Sequence, residues 1–324
     1  MTGRAVCVVG LGLIGGSVLR AAVRAGRPAW GATASGADQE AAAGDGFTVL
    51  PVEDALAKAA DTDALVVLAV PLPAVDEVLR TVAAVAPSCL LTDVVSVKEP
   101  VTEAVARRAP DARYAGGHPM AGRSASGWAA GSAELFDGAP WVVATEDEVS
   151  PAAWRAAAEL ALACGAHVVP TTASEHDAAV ARISHLPHVL AAVLAATGAA
   201  GGPLALALAA GSFTDGTRVA GTRADLVLAM CEGNRERLLD AVDDALGRLG
   251  AARGALASTG GLAATIRAGN EGRAALVALR DTPREELRID LTDPEAFEDL
   301  RSLGSGGGRI LRLEGDVAIA DLPD

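Results

Sequence analysis

Val6-Cys-Val-Val-Gly10-Leu-Gly12-Leu-Ile-Gly15-Gly16-Ser17 decides how the first half of the chain folds. A short β-branched, apolar run reads as a buried strand, breaks at Gly10 and passes into a helical pattern over 14–25. The spacing Gly10, Gly12, Gly15 is the G-x-G-x-x-G of a strand–turn–helix that binds a dinucleotide. Gly10 permits the tight turn, Gly12 lets the backbone approach a pyrophosphate, and Gly15 lets helix and strand pack closely. The helix N-terminus then offers unpaired N–H groups and a partial positive charge. The expected cofactor contacts in this turn are Gly10, Gly12, Leu13, Ile14 and Gly15. A ligand-free glycine turn would satisfy the same spacing, but strand, turn and helix occur here in the order a dinucleotide needs. The motif names no reaction.

Working outward, strand patterns at 5–9, 29–33, 64–69, 89–93, 141–144 and 167–169 alternate with helical ones at 14–25, 53–60, 74–86, 98–108 and 151–164. Such alternation predicts an α/β, Rossmann-type doubly wound sheet, mainly parallel, with ligands at the carboxyl ends of its strands. After about residue 170 the pattern is helical over 174–280, with breaks near 201–203, 211–216 and 232–234. The last forty residues return to short strands at 287–291, 309–313 and 317–320. The expected division is a dinucleotide-binding domain at 1–170, an all-helical substrate and dimerisation domain at 171–282, and a small α+β appendage at 283–324 without site chemistry. The apolar stretch 189–210 reads as buried helices. With 237–250 it is more apolar than a single layer requires, and a homodimer would bury the excess.

Composition narrows the function classes. The chain has 324 residues, is 51% hydrophobic and 21% charged, and can bury sizeable cores rather than remain disordered. A net charge of −14 argues against nucleic acid as a partner. The four cysteines, Cys7, Cys89, Cys164 and Cys231, have no metal or redox spacing, so reduced thiols in a cytoplasmic protein are expected. The N-terminus enters the first strand without room for a signal peptide. No uncharged apolar run reaches the ~18 residues of a membrane span, so none is expected.

The loops at the strand ends carry the polar groups. An acid that would bond a ribose is missing after the second strand, where Gly31-Ala-Thr33-Ala-Ser35-Gly36 leaves Thr33 or Ser35 to meet it; NAD and NADP both stay open. Val70 and Pro71 end a buried strand in a turn that could lie under the cofactor, or simply stiffen the loop. Asp93 and Ser96 follow another buried strand, and Ser96 could equally cap the next helix. His118, flanked by glycines and followed by Pro119, is held extended and suits proton transfer near neutral pH. Ser174-Glu-His176-Asp177 reads as a helix N-cap. His176, His185 and His188 are spaced nine then three apart with Pro187 between, which is no familiar ligand set, so no metal is expected. Arg218, if turned inward, needs a carboxylate partner, either Asp215 or an anionic substrate.

Together GLGLIGGS at 10–17, TDVVSVK at 92–98, GGHPMAG at 116–122, SHLPH at 184–188 and FTDGTR at 213–218 resemble the prephenate and arogenate dehydrogenases, over roughly residues 5 to 250. The resemblance implies a Rossmann domain, a dimerising helical domain and NAD(P)-dependent oxidation of a cyclohexadienyl substrate. Prephenate would lose hydride from ring C4 and its ring carboxylate as carbon dioxide, giving 4-hydroxyphenylpyruvate on the route to tyrosine. By the same resemblance His118 is the base that removes the 4-hydroxyl proton. Ser96 bonds that hydroxyl or His118 and touches the nicotinamide. Arg218 holds a carboxylate, and Ser184, His185 and His188 line the cleft.

Two departures concern the substrate. Relatives commonly carry Glu where this chain has Ser124, which leaves Ser124 as a candidate substrate contact beside Arg123. Many carry Trp in the loop after Arg218, whereas residues 223–230 read Arg-Ala-Asp-Leu-Val-Leu-Ala-Met. Arogenate and 4-amino-4-deoxyprephenate therefore stand as alternative substrates. A β-hydroxyacid or pyrroline-carboxylate dehydrogenase would have no reason for GGHPMAG and SHLPH. A non-catalytic cofactor-binding regulator is disfavoured by intact Ser96, His118 and Arg218.

Overall fold

In the computed structural model, residues 3–123 and 125–324 are described. The first half builds a five-stranded parallel sheet from β1 (Val6–Val9), β2 (Ala29–Ala32), β3 (Leu65–Leu68), β4 (Leu90–Asp93) and β5 (Arg113–Ala115), in the order β2-β1-β3-β4-β5. The order reverses at β1, so the Gly10 turn at its carboxyl end lies at the switch point where open α/β sheets take ligands. Every residue of β1, β3 and β4 is buried, which is why β1 and β3 are continuous apolar runs rather than alternating ones, while β4 ends in the buried polar Thr92 and Asp93.

Helices cover both faces. On one side lie α1 (Leu13–Arg24) and, after a short α2 (Gly36–Gly44), on the other lie α3 (Val52–Asp61), α4 (Leu72–Val85) and α5 (Glu99–Arg108). The strand patterns at 141–144 and 167–169 do not join this sheet. They are β7 (Pro140–Ala144) and β8 (His167–Thr171) of a second sheet, entered from β5 through Gly116 into β6 (Gly117–Pro119). Gly117 makes the crossing possible, because a Cβ there would lie 2.6 Å from the Asp93 carbonyl oxygen. The helix α6 (Pro151–Ala163) packs against strands of both sheets, and its run of alanines, seven buried residues in all with Trp154 and Leu160, is what lets one helix fit between two sheets.

The remaining chain is α7 (Ala173–Val180), a π-helical turn (Ala181–His185), α8 (Leu186–Ala200), α9 (Gly202–Ala207), α10 (Gly211–Thr217), a 3-10 turn (Arg218–Gly221), α11 (Ala224–Gly233), α12 (Arg235–Ser258) and α13 (Ala263–Asp281). The break expected at 211–216 is thus helical. The C-terminal residues are α+β as read: β9 (Arg284–Asp290), α14 (Ala296–Ser305), β10 (Arg309–Glu314) and β11 (Val317–Pro323). They do not stand apart, since β10 pairs antiparallel with β8 and the second sheet runs β6-β7-β8-β10-β11-β9. Packing of α14 is close: a Cβ on Gly304 would lie 1.6 Å from the Pro170 carbonyl oxygen.

The stretch 189–210, read as buried, is exposed in the single chain: Leu190, Val193, Leu194, Leu204, Leu206 and Leu208 all face outward, Leu208 at 74%. Exposed leucines continue through α11, α12 and α13. The continuous helix Ala173–Ala200 contains an 18-residue window of mean hydropathy 1.4 that is only 22% buried. By length and composition it would pass for a bilayer span, which the residue pattern did not anticipate. A patch of this extent on a folded chain marks a surface that something covers.

Candidate active site

The carboxyl edge of the parallel sheet gathers four loops. At the end of β1, Gly10 has φ +103°, and a Cβ there would lie 2.4 Å from the Ala69 carbonyl oxygen. Gly15 lies so close to the turn that its Cβ would come within 1.9 Å of the Gly10 carbonyl oxygen. Gly12 faces open space and is the N-cap of α1, with no side chain bonding the first amides. An open, uncapped helix start is what a pyrophosphate would fill. Leu13 and Ile14 form the first turn of α1, partly exposed beside it.

After β2, the Thr33 hydroxyl accepts from the Ser35 amide at 3.2 Å, and the Ser35 hydroxyl caps α2 by accepting from the Asp38 amide at 3.2 Å. Asp38 is the nearest acid, and it is turned aside to accept from the Trp128 amide at 2.8 Å. Val70 and Pro71 follow β3 and lead into α4, with Pro71 as its N-cap.

The loop after β4 is held from beneath. Asp93 and Lys98, both fully buried, form an ion pair. Asp93 also accepts from Tyr114 Oη at 2.6 Å, from the Val95 amide at 2.8 Å and from the Gly117 amide at 3.2 Å. Burial pulls the Lys98 ammonium below its usual range and pushes the Tyr114 phenol well above its own. Asp93 is thus an internal strut, not a ligand-facing group. Ser96, partly buried between them, does not cap α5, and its hydroxyl finds no partner among the described residues. The α5 amides are capped from elsewhere: Asp177 accepts from Lys98 N at 2.8 Å and Glu99 N at 2.9 Å.

His118 belongs to the strand β6 rather than a loop. Its Nδ1 lies 2.8 Å from His176 Nε2, and His176 Nδ1 lies 2.7 Å from Asp177 Oδ1. Burial, then the neighbouring His176, Lys98 and His185, hold the His118 imidazole well below its ordinary pKa, hence neutral. His176 and Asp177 come from α7, whose N-cap is Thr172 in a capping box with Glu175, not Ser174. The T-x-x-E at 172–175 was the available signal for that start.

Beyond α7 the π-helical turn ends with the Leu186 amide bonded to the Ala181 carbonyl, just before Pro187, which lacks an N–H to give. His185 is fully buried here; its Nδ1 faces Asn234 Nδ2 at 3.1 Å, and Asn234 also donates to the Asp177 carbonyl at 2.7 Å. His185 Nε2 and His188 Nδ1 are buried and have no partner among the described residues, and Ser184 is partly buried beside them. Burial pushes the His185 imidazole down to about 4. Arg218 is not joined to this cluster. It is exposed on the 3-10 turn packed against α8 and has no ion pair, with Asp215 or otherwise, among the described residues. Ser124 lies outside the described residues. Sequence reasoning had not given His176, Asp177 and Asn234 a part in the site.

Stability should report the neutral imidazoles. A His185 that titrates near 4 when folded and near 6.5 when unfolded contributes fully above pH 6.5. That contribution is lost as pH falls towards 4, by about 3 kcal/mol at most. His118 and His176 are shifted in the same direction. Melting temperature should therefore drop steadily from pH 7 to 4.5, and His185→Gln should flatten the slope. An unchanged slope would remove His185 from the account.

The prephenate dehydrogenase nucleotide-binding domain matches residues 24–170, beginning just after the glycine turn, and the prephenate dehydrogenase dimerization domain matches residues 172–260. A cyclohexadienyl dehydrogenase of Zymomonas mobilis is 33% identical over 269 residues, covering 79% of this chain and 89% of that protein. The chain belongs to the prephenate dehydrogenase family. The prephenate dehydrogenase of Bacillus subtilis is 30% identical over 248 residues, covering 74% of this chain; the match spans about two thirds, 66%, of that protein's length. A Corynebacterium glutamicum protein, provisionally called a prephenate dehydrogenase, superposes with a TM-score of 0.90 at 42% identity, covering 95% of this chain and 99% of its own. As a member of the family the chain is an oxidoreductase with a Rossmann-type nucleotide-binding domain, a helical domain of the dimerization type and a C-terminal sheet.

Proposed function

We propose that this prephenate dehydrogenase family member oxidises prephenate with NAD to 4-hydroxyphenylpyruvate and carbon dioxide. The observation that carries the reading is His118, a neutral imidazole with Nδ1 engaged by His176, together with an open, uncapped α1 N-terminus at the carboxyl end of β1. The turn Gly10–Gly15 takes the pyrophosphate, Thr33 and Ser35 the adenine-side ribose, and Val70 and Pro71 flank the cofactor. When bound, NAD accepts the hydride released from ring C4. Ser96 orients the 4-hydroxyl between His118 and the nicotinamide, and His118 takes its proton at Nε2. Loss of the ring carboxylate sends an electron pair through the ring to the C4 oxygen, which recovers the proton as the ring becomes aromatic. Arg218 supplies a cation for a substrate carboxylate. Ser184, His185 and His188 complete the pocket wall, and Ser124 is a further candidate substrate contact.

The division of labour is 1–170 for the nucleotide, 171–282 for substrate and dimerisation, and 283–324 completing the second sheet. The exposed apolar face of α8–α13 is covered by a second copy rather than by a bilayer or nucleic acid, and the enzyme works in the cytoplasm with its four thiols unpaired. Sedimentation in detergent-free buffer should give twice the 32.4 kDa chain mass; a monomer at micromolar concentration would refute the homodimer.

The deciding assay follows NAD and NADP reduction with prephenate, arogenate and 4-amino-4-deoxyprephenate in parallel. Prephenate with NAD should turn over fastest, and no turnover on any of the three ends the reading. Gly15→Ala should weaken NAD by about 5- to 150-fold in a binding titration, because its Cβ has no room against Gly10 and overpacking costs about 1–3 kcal/mol. Wild-type affinity in that variant would remove Gly15 from the cradle.

A further inference from the structure

We infer that His176 and Asp177 are positioning residues that dictate which nitrogen of His118 carries its proton. The inference rests on the proposed reaction and deepens it. An ionised carboxylate only accepts, so the polarity of the chain is set at its Asp177 end. Asp177 Oδ1 accepts from His176 Nδ1–H at 2.7 Å. His176 Nε2 is then a lone pair and accepts from His118 Nδ1–H at 2.8 Å. His118 is left with a lone pair on Nε2 alone, the nitrogen that must receive the substrate proton.

Asp177 is fitted for this part. Burial would raise its carboxyl, yet bonds from His176 and from the Glu99 and Lys98 amides bring it below the usual range, so it stays ionised. Those two amides also tie Asp177 to the first turn of α5, while Asn234 Nδ2 holds its carbonyl. Both rings are therefore braced from two helices of the second half and one of the first. His176 is 3% exposed and packs edge-on to His118, with ring centres 5.0 Å apart and planes at 77°.

The arrangement also resolves a chemical difficulty. Burial, then the neighbouring His176, Lys98 and His185, lower the basicity of His118, which alone would make it a poor base. As His118 gains the proton at Nε2, its Nδ1–H remains bonded to His176. The new positive charge is shared along the chain with the Asp177 carboxylate, which stays ionised, and it returns when the C4 oxygen takes the proton back. The logic is that of a base whose tautomer is held by a buried acid.

The groups facing this chain are His176 and Asp177 from α7, Lys98 and Asp93 from the β4–α5 loop, and His185 from the π-helical turn. Asp177→Asn should lower kcat by ~10²–10⁴-fold, because an amide can donate to His176 Nδ1 and impose the wrong tautomer. Asp177 also caps α5, so His176→Phe serves as the second variant, filling the ring volume and leaving that cap in place. It should lower kcat by ~10²-fold, keep KM and the NAD dissociation constant within about threefold, and shift the acid limb of kcat/KM. Both variants retaining kcat within threefold, or losing it without any shift of the acid limb, would overturn the inference.

A readout independent of turnover separates this from the reaction itself. The chain has five histidines, so ¹⁵N-histidine NMR of the intact wild-type dimer resolves each ring. The expected result is His118 and His176 both protonated on Nδ1 and unprotonated on Nε2 at neutral pH, with His118 losing that preference in His176→Phe. His118 carrying its proton on Nε2 in the wild type would overturn the inference whatever the substrate. Absence of dehydrogenase activity alongside the expected tautomers would instead overturn the proposed reaction.

Discussion

Replacing His118 with Asn should lower kcat by ~10²–10⁴-fold while leaving KM and NAD affinity within a few-fold, the pattern of a lost proton acceptor rather than a lost binding contact. Asn has nearly the reach of the imidazole Nδ1 and can keep a bond to His176, so β6 and its pairing with β7 at Val142 are spared. It cannot take up a proton at Nε2. Hydride departure from C4 develops positive charge that only loss of the hydroxyl proton relieves, and with His118 absent that proton must go to water. Steady-state kinetics with prephenate, with melting temperature as a control for folding, measure the effect. A variant that turns over at the wild-type rate would place the base elsewhere, and the relay through His176 would lose its purpose with it.

The second large effect concerns stability. Lys98→Met should destabilise the fold by about 3–5 kcal/mol, because removing one member of a buried ion pair leaves the other's charge uncompensated. Lys98 and Asp93 are both sealed from water beneath the site loop. The bonds that Asp93 keeps from Tyr114, Val95 and Gly117 favour the low end of that range. Lys98→Met combined with Asp93→Asn should recover much of the loss, since the carboxylate is then neutral. Urea unfolding at fixed protomer concentration reads this as a lower midpoint with unchanged slope. An unshifted midpoint would mean that the pair contributes nothing net. The single variant should also lose activity beyond its stability loss, because the pair holds the segment 93–98 that presents Ser96 to the cleft.

How much of this could be read from residues alone varies with sequence distance. The strand–turn–helix at Gly10 is partly a local matter: Gly10 adopts a positive φ, and Gly15 is crowded by the Gly10 carbonyl five residues away, so the spacing shows them. The Ala69 backbone that also crowds Gly10 comes from the end of a distant strand. Burial of β1 and β3 is equally plain in their unbroken apolar runs. The role of Ser96 was not legible, since a serine before a helix has the composition of a cap. Only the structure assigns that duty to Asp177, some 78 residues away. The strands β7 and β8 looked like further members of the parallel sheet, because a strand pattern records burial but not its neighbour. Arg218 was recognisable as a candidate anion contact, but its exposure on the 3-10 turn was not.

The prephenate dehydrogenase fold was thus determined by the sequence wherever backbone sterics and burial act over a few residues: the glycine turn, the alternation of strands and helices, and the change to an all-helical second half. The tertiary structure alone decided which sheet each strand joins, what caps α5 and which imidazole nitrogen His118 leaves free. His118 meets His176 across 58 residues, and Asn234 meets His185 across 49. A hydrogen bond between side chains so far apart depends on where two elements come to rest, and no spacing along the chain encodes that.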